Sequence, residues 1–210
     1  MDVPARFIPV FFHPETRPES WRRLLAAPPR MAAVAPDGPA FQRAVGALQA
    51  AGTEVLGHVD TDFGLRPIAD VRADLRRLRN GYGLRGVFLD QAAACADRLD
   101  HYREIVDGVR GTIVLNPGVY PDPGYAALAD VLVTFDGPLP AYRAMREPAW
   151  ARSLARGRFC HLVHEVPGQA ADATVRRAVR HAGLVHVTDR PGTDPWGDLP
   201  AYHRSSPMAG

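Results

Sequence analysis

Seven polar side chains stand where apolar, β-rich runs of this sequence give out: His13, Asp60, Asp90, Asn116, Asp136, His164 and Thr188. Carboxyl groups gathered in one place can pass protons to and from a substrate, and carboxamides or imidazoles beside them supply hydrogen bonds. Asp90 raises the question most directly. It ends the apolar run GVFLD and is followed at once by the carboxamide of Gln91. A carboxylate is not expected at the end of such a run for packing alone. Its position fits two readings: it meets other strand ends at a shared mouth, or it caps a helix beginning near Ala92.

The elements that must carry these residues follow from periodicity. Apolar runs of strand length cover 7–12, 31–34, 54–59, 87–89, 112–115, 131–135, 159–163 and 184–188. Helical patterns lie between them at 19–27, 39–51, 68–80, 92–109, 125–129, 141–155 and 171–181, with Pro39 near a first turn and Gly52 and Gly183 just past helix ends. Eight strands in strict β/α alternation predict a compact (β/α)8 TIM barrel, in which some helices must be short or missing because the chain is only 210 residues long. A doubly wound open sheet is the weaker alternative, since the first strand leads into FFHPETRPES and not into a glycine-rich turn.

In such a barrel the strand ends converge on one rim, and strand alternation sorts residues into faces. If Asp90 points inward, so do Phe88 and Gly86. The same register turns His58 and Asp60, Val114 and Asn116, and Thr134 and Asp136 toward the barrel axis.

Composition bounds the remaining possibilities. With 46% hydrophobic residues the chain can bury a large core, and it is read as one domain over 1–210. The 25 basic residues are scattered among 23 acids for a net charge of +2, so no nucleic-acid partner is expected. Arg72, Arg76, Arg77 and Arg79 share a helical pattern with Ile68, Val71, Leu75 and Leu78, the signature of a solvated outer face. Cys95 and Cys160 lack CxxC spacing and suit buried thiols. No segment approaches the ~20 apolar residues of a membrane span, and no signal-peptide pattern opens the sequence. The chain as written is therefore expected in the cytoplasm, or outside the cell if an upstream signal sequence is missing.

His161 and His164, three residues apart on a strand, face opposite sides and do not share a metal; no metal and no cofactor is expected. Ser153, Ser205 and Ser206 have no strand–turn–helix context for a nucleophile, and there is no GxSxG. Asn116, in LNPG, is placed equally well to bond a substrate hydroxyl or to form an Asx turn before Pro117. Trp196, in DPWGDLP, suits stacking on a sugar ring or packing over the barrel end.

The stretches GHVDTDFGLRP, YGLRGVFLDQ, VLNPG, DVLVTFDGP, HLVHEVP and VTDRPGTDPWGDLPAYH occur in an order and at spacings that resemble the spherulin-4 proteins, spherulation-specific family 4. The resemblance runs from Phe7 to Tyr202. It implies a (β/α)8 barrel related to glycoside hydrolases, whose characterised fungal members cleave an α-1,4-linked, galactosamine-containing exopolysaccharide. Carried over by position, Asp90 keeps the family's strand-four acid. Gln91 stands where the family usually has Glu, and Asp136 is a shortened form of its strand-six Glu.

Glycoside hydrolysis needs two carboxyl groups flanking the scissile bond. Asp90 and Asp136, two strands apart, have backbones separated by roughly 9–10 Å at ~4.8 Å per strand, and their side chains shorten the gap. The resemblance therefore assigns catalysis to Asp90, as nucleophile or base, and to Asp136, as acid. His13, His58, Asp60, Gln91, Asn116, His164 and Trp196 are expected to bind a carbohydrate substrate. The rival reading is a non-catalytic carbohydrate-binding barrel whose acids have drifted.

Overall fold

The structure, a computed structural model, describes residues 5–202; Ser205 and Ser206 lie outside the described residues. Its elements are β1 (Ala5–Val10), α1 (Pro18–Ala26), β2 (Met31–Val34), α2 (Gly38–Ala50), β3 (Glu54–Asp60), α3 (Ile68–Tyr82), β4 (Gly86–Asp90), α4 (Leu99–Val106), β5 (Ile113–Leu115), β6 (Val131–Pro138), α5 (Leu139–Ala144), β7 (Phe159–His164), α6 (Gly168–Ala178) and β8 (Leu184–Val187). Each strand pairs in parallel with the next, and β1 pairs with β8, so the sheet closes into an eight-stranded (β/α)8 barrel. No helix among the described residues is long and apolar enough to cross a membrane.

The predicted alternation holds along most of the barrel. Phe7, Leu56, Phe88 and Val114 fill the interior, with the Phe7 and Phe88 rings 5.4 Å apart. Val87 and Leu89, flanking Phe88, join the outer layer under the helices. In α3 the spacing of Val71 and Leu78 buries one face, and Gly83, at φ 69°, ends the helix with its N–H turned back to Arg79 and Leu78.

Thr134 departs from the expectation. A β-bulge shifts the β6 register between Val133 and Phe135. Val131 and Val133 point inward, whereas Thr134 points outward and bonds His161 Nε2 at 3.1 Å. The extra residue restores the inward phase at Asp136, so Asp136 faces the axis and Thr134 does not.

Two helices are much shorter than periodicity suggests. The pattern at 141–155 becomes α5, which stops at Ala144 before Pro148, followed by short 3-10 turns at Ala151–Ser153 and Arg156–Arg158; proline cannot supply the next helical donor and pushes its predecessor out of the helical region. The pattern at 92–109 becomes a 3-10 turn, Ala96–Arg98, and α4. The Ala92 amide is bonded to Asn116 O and the Ala93 amide to Tyr102 Oη, and Cys95 is extended, so no helix begins at Ala92 for Asp90 to cap.

The barrel also fixes where side chains are excluded. A Cβ on Gly111 would lie 2.4 Å from Arg85 C and 2.5 Å from Arg85 O, backbone that cannot swing aside as a side chain can. Gly111→Ala should therefore destabilise the fold by about 1–3 kcal/mol, measured as a lowered chemical-denaturation midpoint; an unchanged midpoint would show that the β4–β5 entry is looser than described.

Candidate active site

Four strand ends deliver the polar residues. Asp60 ends β3, Asp90 ends β4, Asn116 follows β5, and Asp136 lies in β6 beyond its bulge. Asn116 ties the last three together. Its Nδ2 donates to Asp90 Oδ1 at 2.7 Å and to Asp136 Oδ2 at 2.9 Å, while its Oδ1 accepts from the Gly118 amide at 3.0 Å. The Asx-turn role expected of Asn116 is thus filled, and the turn fixes the amide with its donor toward the carboxylates.

The two acids have different surroundings. Asp90 is half-buried, with Oδ2 3.0 Å from His58 Nε2 and Oδ1 also accepting from the Gln91 amide at 2.9 Å. Burial pushes the Asp136 carboxyl up to about 7, against the opposing pull of the Asn116 hydrogen bond and with help from the Asp90 charge. A carboxyl so placed can hold a proton near neutral pH and give it up.

His58 and Asp60 share the inward face, but each has another partner. His58 is stacked over Phe88, its ring edge-on to Phe11, and bonds Asp90. Asp60 Oδ2 accepts from Gln91 Nε2 at 2.9 Å. Gln91 reaches it because the strand ends at Asp90 and Gln91 adopts φ 46°, which returns the side chain to the mouth instead of to the opposite face. A cavity of 370 Å³ opens beside His58 and Asp60, bounded also by Asp37, Arg66 and Asp74.

Residues 7–207 match the family model of spherulation-specific family 4. The chain belongs to this family. Spherulin-4 of Physarum polycephalum is 29% identical over 157 residues, 68% of this chain and 47% of the relative; the chain spans about half the length of that curated relative. Among solved structures, Aspergillus clavatus Sph3 in complex with GalNAc is 22% identical, with a TM-score of 0.77 and 94% of both chains covered. The glycoside hydrolase domain of PelA from Pseudomonas aeruginosa is 15% identical, with a TM-score of 0.57 over 89% of this chain and 96% of that one. A GH18 chitinase from Pseudoalteromonas aurantia is 12% identical, with a TM-score of 0.57 over 92% and 97%. At such identities the likeness shows the fold, a (β/α)8 barrel.

In this spherulation-specific family 4 chain the remaining predicted residues divide. His164 points inward on β7 and meets the Trp196 ring at 6.1 Å; His186 lies 5.5 Å from the same ring. Trp196 packs on the interior cluster, so it covers the β7–β8 side of the barrel end. Burial pulls the His164 imidazole down, opposed by Glu165, whose Oε1 is 3.7 Å away. His161, on the outer face, bonds Tyr142 Oη at 2.8 Å, apart from His164 as alternation requires. His13 is not brought to the carboxylates: beyond the end of β1 it turns to Phe41 of α2, ring centroids 5.0 Å apart, and accepts from the Glu15 amide.

Sequence reasoning missed three contributors. Thr61 Oγ1 lies 2.9 Å from both Asp90 O and Gln91 O and 2.8 Å from Tyr102 Oη, and Tyr102 Oη in turn accepts from the Ala93 amide. This chain of bonds fixes the backbone on which Asp90 and Gln91 stand. Phe63, at φ 52° and 54% exposed, holds its amide on Gln91 O at 2.7 Å and presents an aromatic side chain at the rim. DTDFG contains two of the three, but nothing in its residue types signals the positive φ angles.

The raised Asp136 carboxyl has a consequence for stability. Its folded-state value lies above its ordinary 3.8, so its contribution is fully present below pH 3.8 and is lost as pH rises toward about 7. Wild-type stability should fall relative to Asp136→Asn across that interval, by at most roughly 1.4 kcal/mol per pH unit, and the difference should level off above it. Parallel denaturation curves between pH 4 and 8 measure this, and a pH-independent difference would refute the raised value.

Proposed function

We propose that this protein hydrolyses an amino-sugar-containing polysaccharide of the galactosamine type at the C-terminal mouth of the barrel. Asp136 is the general acid and Asp90 the nucleophile or base. The observation that carries the reading is the Asn116 bridge: its two bonds laid end to end keep Asp90 Oδ1 and Asp136 Oδ2 within about 6 Å, nearer the ~5–5.5 Å of retaining pairs than the ~6.5–9.5 Å of inverting ones. Asp136 enters the reaction protonated, because burial favours its neutral form, and protonates the leaving oxygen. Asp90, held by His58, Asn116 and the Gln91 amide, attacks or activates the acceptor from the other side.

Family membership and the likeness to Sph3, whose structure contains GalNAc, support an amino sugar as the ligand. Gln91 and Asp60 form a neutral–acidic pair that can bond substrate hydroxyls or an amine, and Phe63 offers a face on which a sugar ring can stack. The mouth is therefore expected to bind carbohydrate through these groups together with His58, Asn116, His164 and Trp196.

Asp90→Asn and Asp136→Asn should each lower turnover of a galactosamine-containing polysaccharide by about 10²–10⁴-fold while leaving binding largely intact. Gln91→Ala should cost far less, since it moves no proton. The wild-type rate should decline on the alkaline side as Asp136 loses its proton near pH 7. Mass spectrometry of released oligomers measures all four effects. If wild type binds amino-sugar oligomers yet releases no product at any pH, the protein is a binding barrel; activity gained by Gln91→Glu would then identify the missing carboxyl group as the reason.

A further inference from the structure

At the opposite end of the barrel, where the strands begin, α3 and α4 differ in length. α3 has 15 residues and α4 has 8, so α4 is about 10 Å shorter at 1.5 Å per residue. The groove between them is left open over the start of β4, forming a cavity of 540 Å³. Its floor is apolar: Leu84, Val87 and Ile105 are all nearly inaccessible, with Leu75 and Val109 beside them. Its rim is cationic. Arg72, Arg76 and Arg79 come from α3, Arg85 from the turn into β4 and Arg110 from the turn into β5, against the single carboxylate of Asp107.

The sequence pattern had placed the α3 arginines on a solvated face, and that is where they are. What periodicity does not show is that the helix opposite stops early and that two further arginines arrive from neighbouring turns. Arg72 pairs with Glu104 at 3.7 Å. Among the described residues no hydrogen bond or ion pair engages the guanidinium groups of Arg76, Arg79, Arg85 or Arg110. Like charges gathered without counter-ions repel one another and concentrate a positive field over the groove. Planar guanidinium groups match carboxylate and phosphate oxygens two at a time. A cavity of this size with an apolar floor takes an apolar body of several carbons.

We propose that this cleft binds a small amphipathic anion, with its hydrocarbon part on the Leu75–Leu84–Val87 floor and one phosphate or carboxylate group at the arginine rim. The site is separate from the carboxylate mouth and does not depend on the glycan reading. Titration calorimetry on the full chain with octyl phosphate, sodium octanoate, inorganic phosphate and octanol tests it. One site is expected for the alkyl anions, at least about tenfold tighter than for inorganic phosphate or octanol, and the tighter of the two anions identifies the head group.

Arg76→Glu/Arg79→Glu, both at exposed positions, should weaken octyl phosphate about tenfold, and Leu75→Gln should weaken it without changing the response to inorganic phosphate. Circular dichroism confirms that each variant is folded, and Arg85→Glu serves if either is not. Alkyl anions that bind no tighter than inorganic phosphate, or binding indifferent to the charge reversals, would overturn the proposal. So would capture by phosphatidylglycerol vesicles without binding of the free alkyl anions, which would make the rim a membrane-surface contact.

Discussion

One side-chain amide nitrogen sets the geometry of the mouth. Asn116 Nδ2 is shared by Asp90 and Asp136, and the Asn116 oxygen is held by the Gly118 amide. Reversing the amide would set an oxygen against two carboxyl groups and leave Gly118 facing a donor, so the orientation is fixed by electrostatics as well as by the turn. The bond also requires three strands to end in phase. β4 ends at Asp90, β5 stops one residue before Asn116, and the β6 bulge rotates Asp136 back to the axis. Displacing any one of these by a residue would send a polar side chain under the helices, where burial without a partner is costly.

Placing two acids within reach of one donor creates a proton asymmetry. Burial raises the Asp136 carboxyl, and the charge of Asp90 adds to that, whereas the Asn116 bond alone acts to lower it. Asp90 has the added company of His58. Two chemically identical groups therefore have unlike surroundings, with burial favouring the neutral form of Asp136 and an imidazole bonded to Asp90. The rim that holds them carries backbone strain: Asp62, Phe63 and Gln91 all adopt positive φ. Thr61 and Tyr102 over-determine that loop by hydrogen bonds, which is what allows such conformations to persist.

Much of this was legible because a strand has a period of two. Once Asp90 is taken as inward, alternation alone places His58, Asp60 and Asn116 on the same face. Asp136 also reached the axis, but through a bulge that alternation does not contain; the same reasoning failed at Thr134, since one inserted residue leaves no trace in the pattern of apolar types. The β3–β4 partnerships were illegible for a related reason. His58 bonds Asp90 instead of Asp60, and Gln91 takes Asp60, because Gln91 leaves the strand with a positive φ that its side chain does not announce. The packing of His13 on Phe41 of α2 was likewise not legible, because position at a strand end does not say which way the side chain turns once the strand is over. The helix at 141–155 was overdrawn by giving apolar spacing more weight than Pro148.

A net charge of +2 conceals an electrical difference between the ends of the barrel. Parallel strands send every strand end to one rim and every strand start to the other, so topology separates residues that composition averages. The mouth collects Asp60, Asp62, Asp90 and Asp136, with Arg66 bonded back to Asp60 O and paired with Asp74. The base between α3 and α4 collects Arg76, Arg79, Arg85 and Arg110. A polycationic glycan segment would be drawn to the first end and repelled from the second, whereas an anion would experience the reverse. Scattered charge along a sequence therefore does not exclude a polar molecule. The fold, by fixing which end of each strand a residue occupies, decides what each end can attract.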